Sequence, residues 1–309
     1  MKKIVAAGFN PAWQKVITFE KIVCGNVNRA SGLEEFASGK GINFCRAVKC
    51  YDRASAHLIQ FCGGTNGERI EAALKKEGIC FDSVKTAAGT RCCDTCIDLE
   101  SGKTTELIEP SYPAAAEEVE QYVEKFSAHL NGAAAAAFCG TLPTGTDGRL
   151  YGRLAGIAAE KNVPLLVDAW KNVDDIFSSG AEIWLKINRE ELAALTGKAE
   201  LKDGLMVLNS RWGIKKAAIT DGPGAAFAFD CGKIVKYTLP VLTKIVNPIG
   251  CGDTASAVLC SGLVNGNNWF EAFACALGAA SANCLSSLCG SFAKSDADRL
   301  ASVVTYSEF

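Results

Sequence analysis

One feature constrains this chain more than any other: segments of strand character take turns with segments of helical character over most of its 309 residues. His57–Cys62 reads as a strand, and Gly63-Gly64-Thr65-Asn66-Gly67 turns into a helix over Glu68–Glu77. Ala133–Cys139 reads as a buried strand, Tyr151–Lys161 as a helix, and Val163–Val167 and Ile183–Ile187 as strands. Ala217–Thr220 is a strand before Asp221-Gly222-Pro223-Gly224, and Thr254–Val264 and Trp269–Leu285 are helical. Strands that alternate with helices pair in parallel and carry helices on both faces of the sheet. The pattern therefore predicts a single α/β domain over residues 1–309.

Two stretches break the rhythm. Residues 9–35 and 84–108 are rich in β-formers and turns and carry no helical pattern. Within the second, Arg91, Cys93, Thr95, Ile97 and Leu99 would share one strand face. These inserted segments are expected to build a small second sheet. A lid over a binding site and an ordinary edge hairpin fit the pattern equally.

A formal charge of −2 and a pI near 5.9 leave no basic excess for nucleic acid or an anionic membrane surface. An anionic ligand must be met by a few placed cations and backbone N–H groups. The apolar start Ile4–Ala7 is too short for a signal-peptide core. The 15 cysteines are scattered, many in apolar stretches, which suits small buried hydrophobes in a reducing cytoplasm. Cys93 and Cys96 form a lone CxxC and read as strand packing.

Candidate chemistry falls on Gly-rich turns at strand ends, where parallel sheets bind ligands. Asn247–Thr254 is the sharpest. Gly250 and Gly252 let the backbone bend close to an anion, and a helix N-terminus follows. Asp253 in that first turn could align an attacking hydroxyl for phosphoryl transfer. The helix terminus should keep it ionised, hence a weak base. As plain structure, the segment reads as an Asp cap after a Gly turn. Ser38-Gly39-Lys40-Gly41-Ile42-Asn43 is a second candidate: Lys40 could reach a substrate anion and Asn43 could bond hydroxyls, or the segment is a capped turn. It is not a Walker A loop, since Gly41 follows the lysine. Asn188 and Glu191 after Lys186 form a third, able to order water around Mg²⁺ or to act as an N-cap. No GxGxxG is present. His57 and His129 match no metal motif and read as structural. A Cys251 nucleophile lacks the arginine that a phosphatase loop would need.

Taken in order, these segments resemble the ribokinase-like, phosphofructokinase B family of carbohydrate kinases. The closest likeness is to its 1-phosphofructokinase and tagatose-6-phosphate kinase branch. Asn10-Pro11-Ala12, Gly25–Arg29, Ser38–Asn43, Thr90-Arg91, Thr105–Pro110, Gly140–Gly145 and Gly250–Asp253 carry the resemblance. It implies a Rossmann-like core with a small β-lid, often used in dimerisation. It implies Asp253 as catalytic base, with Gly250, Cys251 and Gly252 as the anion hole. Gln14, Arg29, Gly39, Lys40, Asn43 and Arg91 match substrate positions, Arg91 as the grip on a substrate phosphate. Lys186, Asn188, Thr220 and Gly222 match the ATP side, and Glu191 the Mg²⁺ side. Gln14 stands where the branch usually has Asp, and Cys251 where it has Ala or Ser. The expected activity is ATP-dependent phosphorylation of a ketohexose phosphate. A kinase for a free sugar or nucleoside, and a sensor on a kinase fold, stay open.

Overall fold

The structure, a computed structural model, describes all 309 residues, Met1–Phe309. The chain begins with β1 (Lys2–Gly8), β2 (Ala12–Phe19) and β3 (Gly32–Ser38), then α1 (Lys40–Tyr51) and β4 (Ala54–Cys62). It continues through α2 (Gly64–Glu77), β5 (Cys80–Lys85), β6 (Cys92–Asp98), β7 (Lys103–Ile108) and α3 (Ala116–His129). Next come β8 (Ala135–Cys139), α4 (Arg149–Glu160), β9 (Leu165–Asp168), α5 (Asp174–Phe177), β10 (Ile183–Asn188), α6 (Arg189–Thr196) and α7 (Leu201–Trp212). β11 (Lys216–Asp221), β12 (Ala225–Asp230), β13 (Lys233–Thr238), α8 (Cys251–Val264), α9 (Trp269–Asn283), α10 (Lys294–Ala301) and β14 (Thr305–Glu308) complete it.

Ten strands form one sheet in the order β14-β13-β12-β11-β10-β9-β8-β1-β4-β5. From β11 to β5 every pairing is parallel, and β12, β13 and β14 extend the sheet antiparallel. Alternation along the central strands divides the core. Ile4 and Ala6 of β1 face one cluster with α1, α8, α9 and α10, while Val5 and Ala7 face the other with α3, α4 and α7. Both faces of the parallel strands are covered, which is why their sequences are apolar without a polar alternate.

The expected strands and helices appear in order, with a local difference before α2. Gly64–Gly67 does not form a turn before α2; it is the helix's first turn. Only Gly63 stays extended, and no side chain fits there, since a Cβ would stand 2.0 Å from the Ala88 carbonyl oxygen.

A separate four-stranded sheet has the order β3-β2-β6-β7. It draws on Ala12–Ser38 and Cys92–Ile108, whereas Val84 and Lys85 lie in β5 of the main sheet. The shift is physical: Val84 is fully buried against the core, so the chain leaves the large sheet only after it. Cys93 and Cys96 sit three apart on β6, on opposite faces of the strand, and both are free.

Candidate active site

The carboxyl ends of β8, β9 and β10 meet the N-termini of α1 and α8. Gly250 caps α8 in a left-handed conformation (φ 83°) that favours glycine. The first-turn N–H groups of Gly252 and Asp253 have no backbone acceptor, and the helix dipole adds partial positive charge there.

Asp253 is buried, and its Oδ2 accepts a hydrogen bond from Asn43 Nδ2 at 2.8 Å. Arg46 orients that amide. Its Nη1 donates to Asn43 Oδ1 at 3.2 Å and to the Cys289 carbonyl, and its other nitrogens clamp Glu77 and the Ala37 carbonyl. With Oδ1 committed to a donor, the Asn43 nitrogen faces the carboxylate. Burial, and then the nearby Asp168, hold Asp253 above the ordinary carboxylate value, against Lys40, Asn43 and Lys186. The helix terminus therefore does not make it the weak base that the sequence suggests; desolvation wins.

Sequence reasoning missed Asp168, the last residue of β9. Its Oδ1 accepts from Lys40 Nζ at 2.7 Å, its Oδ2 accepts from Ser256 Oγ at 2.6 Å, and Lys186 Nζ stands 3.7 Å away. Burial opposes its charge, but Lys186 and Lys40 outweigh burial and hold it below the ordinary carboxylate range. Lys40 is likewise opposed by burial and held above its ordinary value by Asp168 and Asp253. The signal was present: a carboxylate ending a buried parallel strand points into the crevice where ligands bind. Ser256, one turn after Asp253, carried no signal of its own.

Lys186 is almost fully buried, and a Cβ on Gly252 would stand 2.9 Å from its ammonium. Asn188 and Glu191 make a reciprocal capping box at the start of α6. Glu191 N–H donates to Asn188 Oδ1 and Asn188 N–H to Glu191 Oε2, both at 2.8 Å. One carboxylate oxygen of Glu191 and the Asn188 amide nitrogen stay uncommitted. Thr220 lies beside Asn188 in the β10–β11 register, and Gly222 follows in a left-handed turn.

The Asn10-Pro11 loop separates two clefts. One holds Gly39 and Lys40; the other is lined by Arg91, Thr90, Phe61 and Tyr112. Arg91 Nη2 reaches the Asn10 carbonyl at 3.4 Å, while its buried Nε has no partner. Gln14, on β2, donates to Thr95 Oγ1 at 2.9 Å and to the Lys15 carbonyl, which leaves its oxygen uncommitted. Arg29 is exposed in the loop between β2 and β3 and makes no hydrogen bond or ion pair. The fold thus gathers Lys40, Asn43, Lys186, Gly250, Cys251, Gly252 and Asp253 at one centre. Asn188 and Glu191 lie at the carboxyl end of β10 just past Lys186, Thr220 and Gly222 lie at the end of the neighbouring β11, and Arg29 stays apart.

Residues 11–296 match the pfkB family of carbohydrate kinases. The chain belongs to that family. Solved structures of the same fold include phosphofructokinase-2 from Escherichia coli in complex with potassium. It is 20% identical, with a TM-score of 0.88 over 98% of this chain and 99% of that one. A Thermotoga maritima protein described as a possible 1-phosphofructokinase is 16% identical, with a TM-score of 0.85 over 99% of both chains. At these identities the likeness is one of fold. As a pfkB carbohydrate kinase the chain uses ATP, and none of its helices is long and apolar enough to cross a membrane.

Proposed function

We propose that this pfkB kinase transfers the γ-phosphate of ATP to a hydroxyl of a ketohexose phosphate, with Asp253 taking the hydroxyl proton. The observation that carries the substrate class is Arg91: a residue lining the cleft beside the Asn10-Pro11 loop, whose guanidinium keeps a buried Nε without a partner. Such a group is stabilised by a phosphate, which accepts in the plane of the fork. Lys40 is not available for a second grip in the same sense. Asp168 already holds its ammonium, so Lys40 balances charge at the reaction centre. Gly39 lines the Lys40 cleft, and the uncommitted oxygen of Gln14 would read a sugar hydroxyl. Arg29 would join only by movement of the small sheet.

Burial raises the basicity of Asp253, and Asn43 fixes its direction toward the hydroxyl. As the oxygen bonds to phosphorus and the bond to the leaving ADP breaks, the proton passes to the Asp253 carboxylate. The free N–H groups of the Gly250–Asp253 turn meet the charge on the moving phosphoryl oxygens, and Lys186 adds a buried cation beside them. Asn188, Thr220 and Gly222 border the nucleotide. Glu191, with one carboxylate oxygen free, would hold Mg²⁺ directly or through water, and the ion would supply charge neutralisation at the nucleotide phosphates.

The four-stranded sheet would act as a lid and pair with a second copy of the chain. Its edge strand β7 is exposed throughout, and Leu33, Leu107 and Ile108 show apolar side chains to solvent. Light scattering on wild type and Leu107→Glu tests this: a dimer that the substitution splits is expected.

The main test is a coupled ADP-release screen against phosphorylated and free ketohexoses, run with wild type and Arg91→Ala. The variant should raise KM about 10- to 100-fold for phosphorylated sugars alone, the loss of a charge-assisted pair. Equal effects on free sugars, or none, would sink the phosphate reading. No ADP release with any ketohexose phosphate would remove the proposed acceptor class altogether.

A further inference from the structure

The anion turn is clasped by the end of α9. Val246 and Asn247 N–H donate to the Cys284 carbonyl at 2.7 and 3.2 Å. Asn283 Nδ2 donates to the Ile249 carbonyl at 3.0 Å and reaches Cys251 Sγ at 3.3 Å, while its Oδ1 accepts from Gly290 N–H at 2.7 Å. At the centre of this clasp the Sγ atoms of Cys251 and Cys284 lie 3.2 Å apart. All 15 cysteines are free, and these two are the pair joined by a hydrogen bond. Both are half-buried, whereas Cys45, Cys139 and Cys260 are sealed in the core. Cys251 opens α8 two residues before Asp253, and its part in the turn belongs to its backbone. Its thiol is free for other chemistry.

We propose that Cys251 and Cys284 are an oxidation site, closing to a reversible disulfide that switches the anion turn off, with a hydroperoxide as oxidant. This rests on reading Gly250–Asp253 as the reaction centre.

The Cys284 thiolate attacks the terminal oxygen of the hydroperoxide. The O–O bond breaks, Cys284 becomes a sulfenic acid, and the alcohol leaves with the proton that the thiol had released. Cys251 sulfur then attacks Cys284 sulfur, the S–O bond breaks, and water leaves with the Cys251 proton. Two thiols are oxidised by two electrons in all, and the peroxide is reduced to alcohol and water. The sulfur–sulfur hydrogen bond, in which either thiol can donate, holds the Cys284 thiol below its ordinary value and raises Cys251. Cys284 is accordingly the attacking group.

A disulfide needs sulfurs at roughly 2.05 Å, so the pair must close by about 1 Å from its present 3.2 Å. That movement draws on the first turn of α8, which carries the free N–H groups and Asp253. A misplacement of about 1 Å at a reaction centre lowers rate about 100-fold.

The test uses the full-length reduced protein treated with hydrogen peroxide. Peptide mapping by mass spectrometry follows the 251–284 link, and ADP release follows activity before and after dithiothreitol. The expected result is the linked peptide and about a 100-fold loss, reversed by the thiol. Cys284→Ala, with Cys284→Ser as a check on folding, should keep its own untreated rate at the same dose. Absence of the linked peptide overturns the proposal, and so does parallel inactivation of the variants. Should the reduced protein release no ADP, the reaction-centre reading fails separately; the linked peptide and a thiol-reversible shift in Tm still decide whether the pair closes.

Discussion

Asn43 donates its amide to Asp253 across 210 residues of sequence, at 2.8 Å, and Arg46 holds the amide in that orientation. The bond favours the ionised carboxylate against burial and Asp168, which push its pKa up. A base with a raised pKa loses activity on acidification sooner than an exposed aspartate would. Asn43→Ala removes one of the groups that oppose the rise. The acid limb of kcat should therefore move to higher pH, read from a pH–rate profile; a limb that stays in place would separate Asn43 from the base.

Asp253→Asn keeps the shape of the carboxylate and removes its proton affinity. Turnover should fall by about 10²- to 10⁴-fold, as for other acid–base groups, while nucleotide binding measured by calorimetry persists. Loss of both together would mean that the residue holds the helix start rather than the chemistry.

Gly252 is a glycine for a reason of space: a Cβ there would meet the Lys186 ammonium at 2.9 Å. Lys186 is buried, and its ammonium stands 3.7 Å from Asp168 Oδ2, so a shift of its flexible end disturbs that pair. Gly252→Ala should displace that cation and lower kcat by about 100-fold, with a smaller change in Tm. Lys186→Ala combined with it should show no additional loss.

Asp168 balances two lysines. Asp168→Asn removes a counter-charge of the buried Lys186, and urea unfolding at neutral pH should show a loss of about 3 kcal/mol, the low end for breaking a buried pair. The sign with pH follows from the depressed pKa. The contribution is present above the unfolded aspartate value of about 3.9 and is lost as pH falls through the folded one. Wild type and variant should converge in acid.

His57 and His129 are stacked at 3.8 Å and both reach Asp82 Oδ2, at 3.0 and 2.7 Å. Lys3 and Lys125 lie on the same cluster. Burial, then His129, lowers the pKa of His57, against the pull of Asp82. The unfolded chain binds this proton first, so stability falls as pH drops below about 6.5 toward the folded value. Thermal melts between pH 7.5 and 5.5 should show a steeper fall for wild type than for His57→Gln.

The sequence by itself determined the architecture and the Gly250–Gly252 bend. Apolar periodicity is local, so the alternation of strands and helices could be read residue by residue, and the glycines of Gly250–Gly252 mark the bend wherever the chain goes. What only the tertiary structure decided is which groups meet. Asp168 acquires its role because β9 ends between Lys40 and Lys186, drawn from other parts of the chain. Asn188 and Glu191 spend part of their bonding capacity on each other, a reciprocal cap their spacing allowed but did not distinguish from a metal pair. The same holds for Asp253. Its position was legible in the sequence, but its proton affinity is set by burial and by a neighbouring carboxylate, which are properties of the packed site and not of the order of residues.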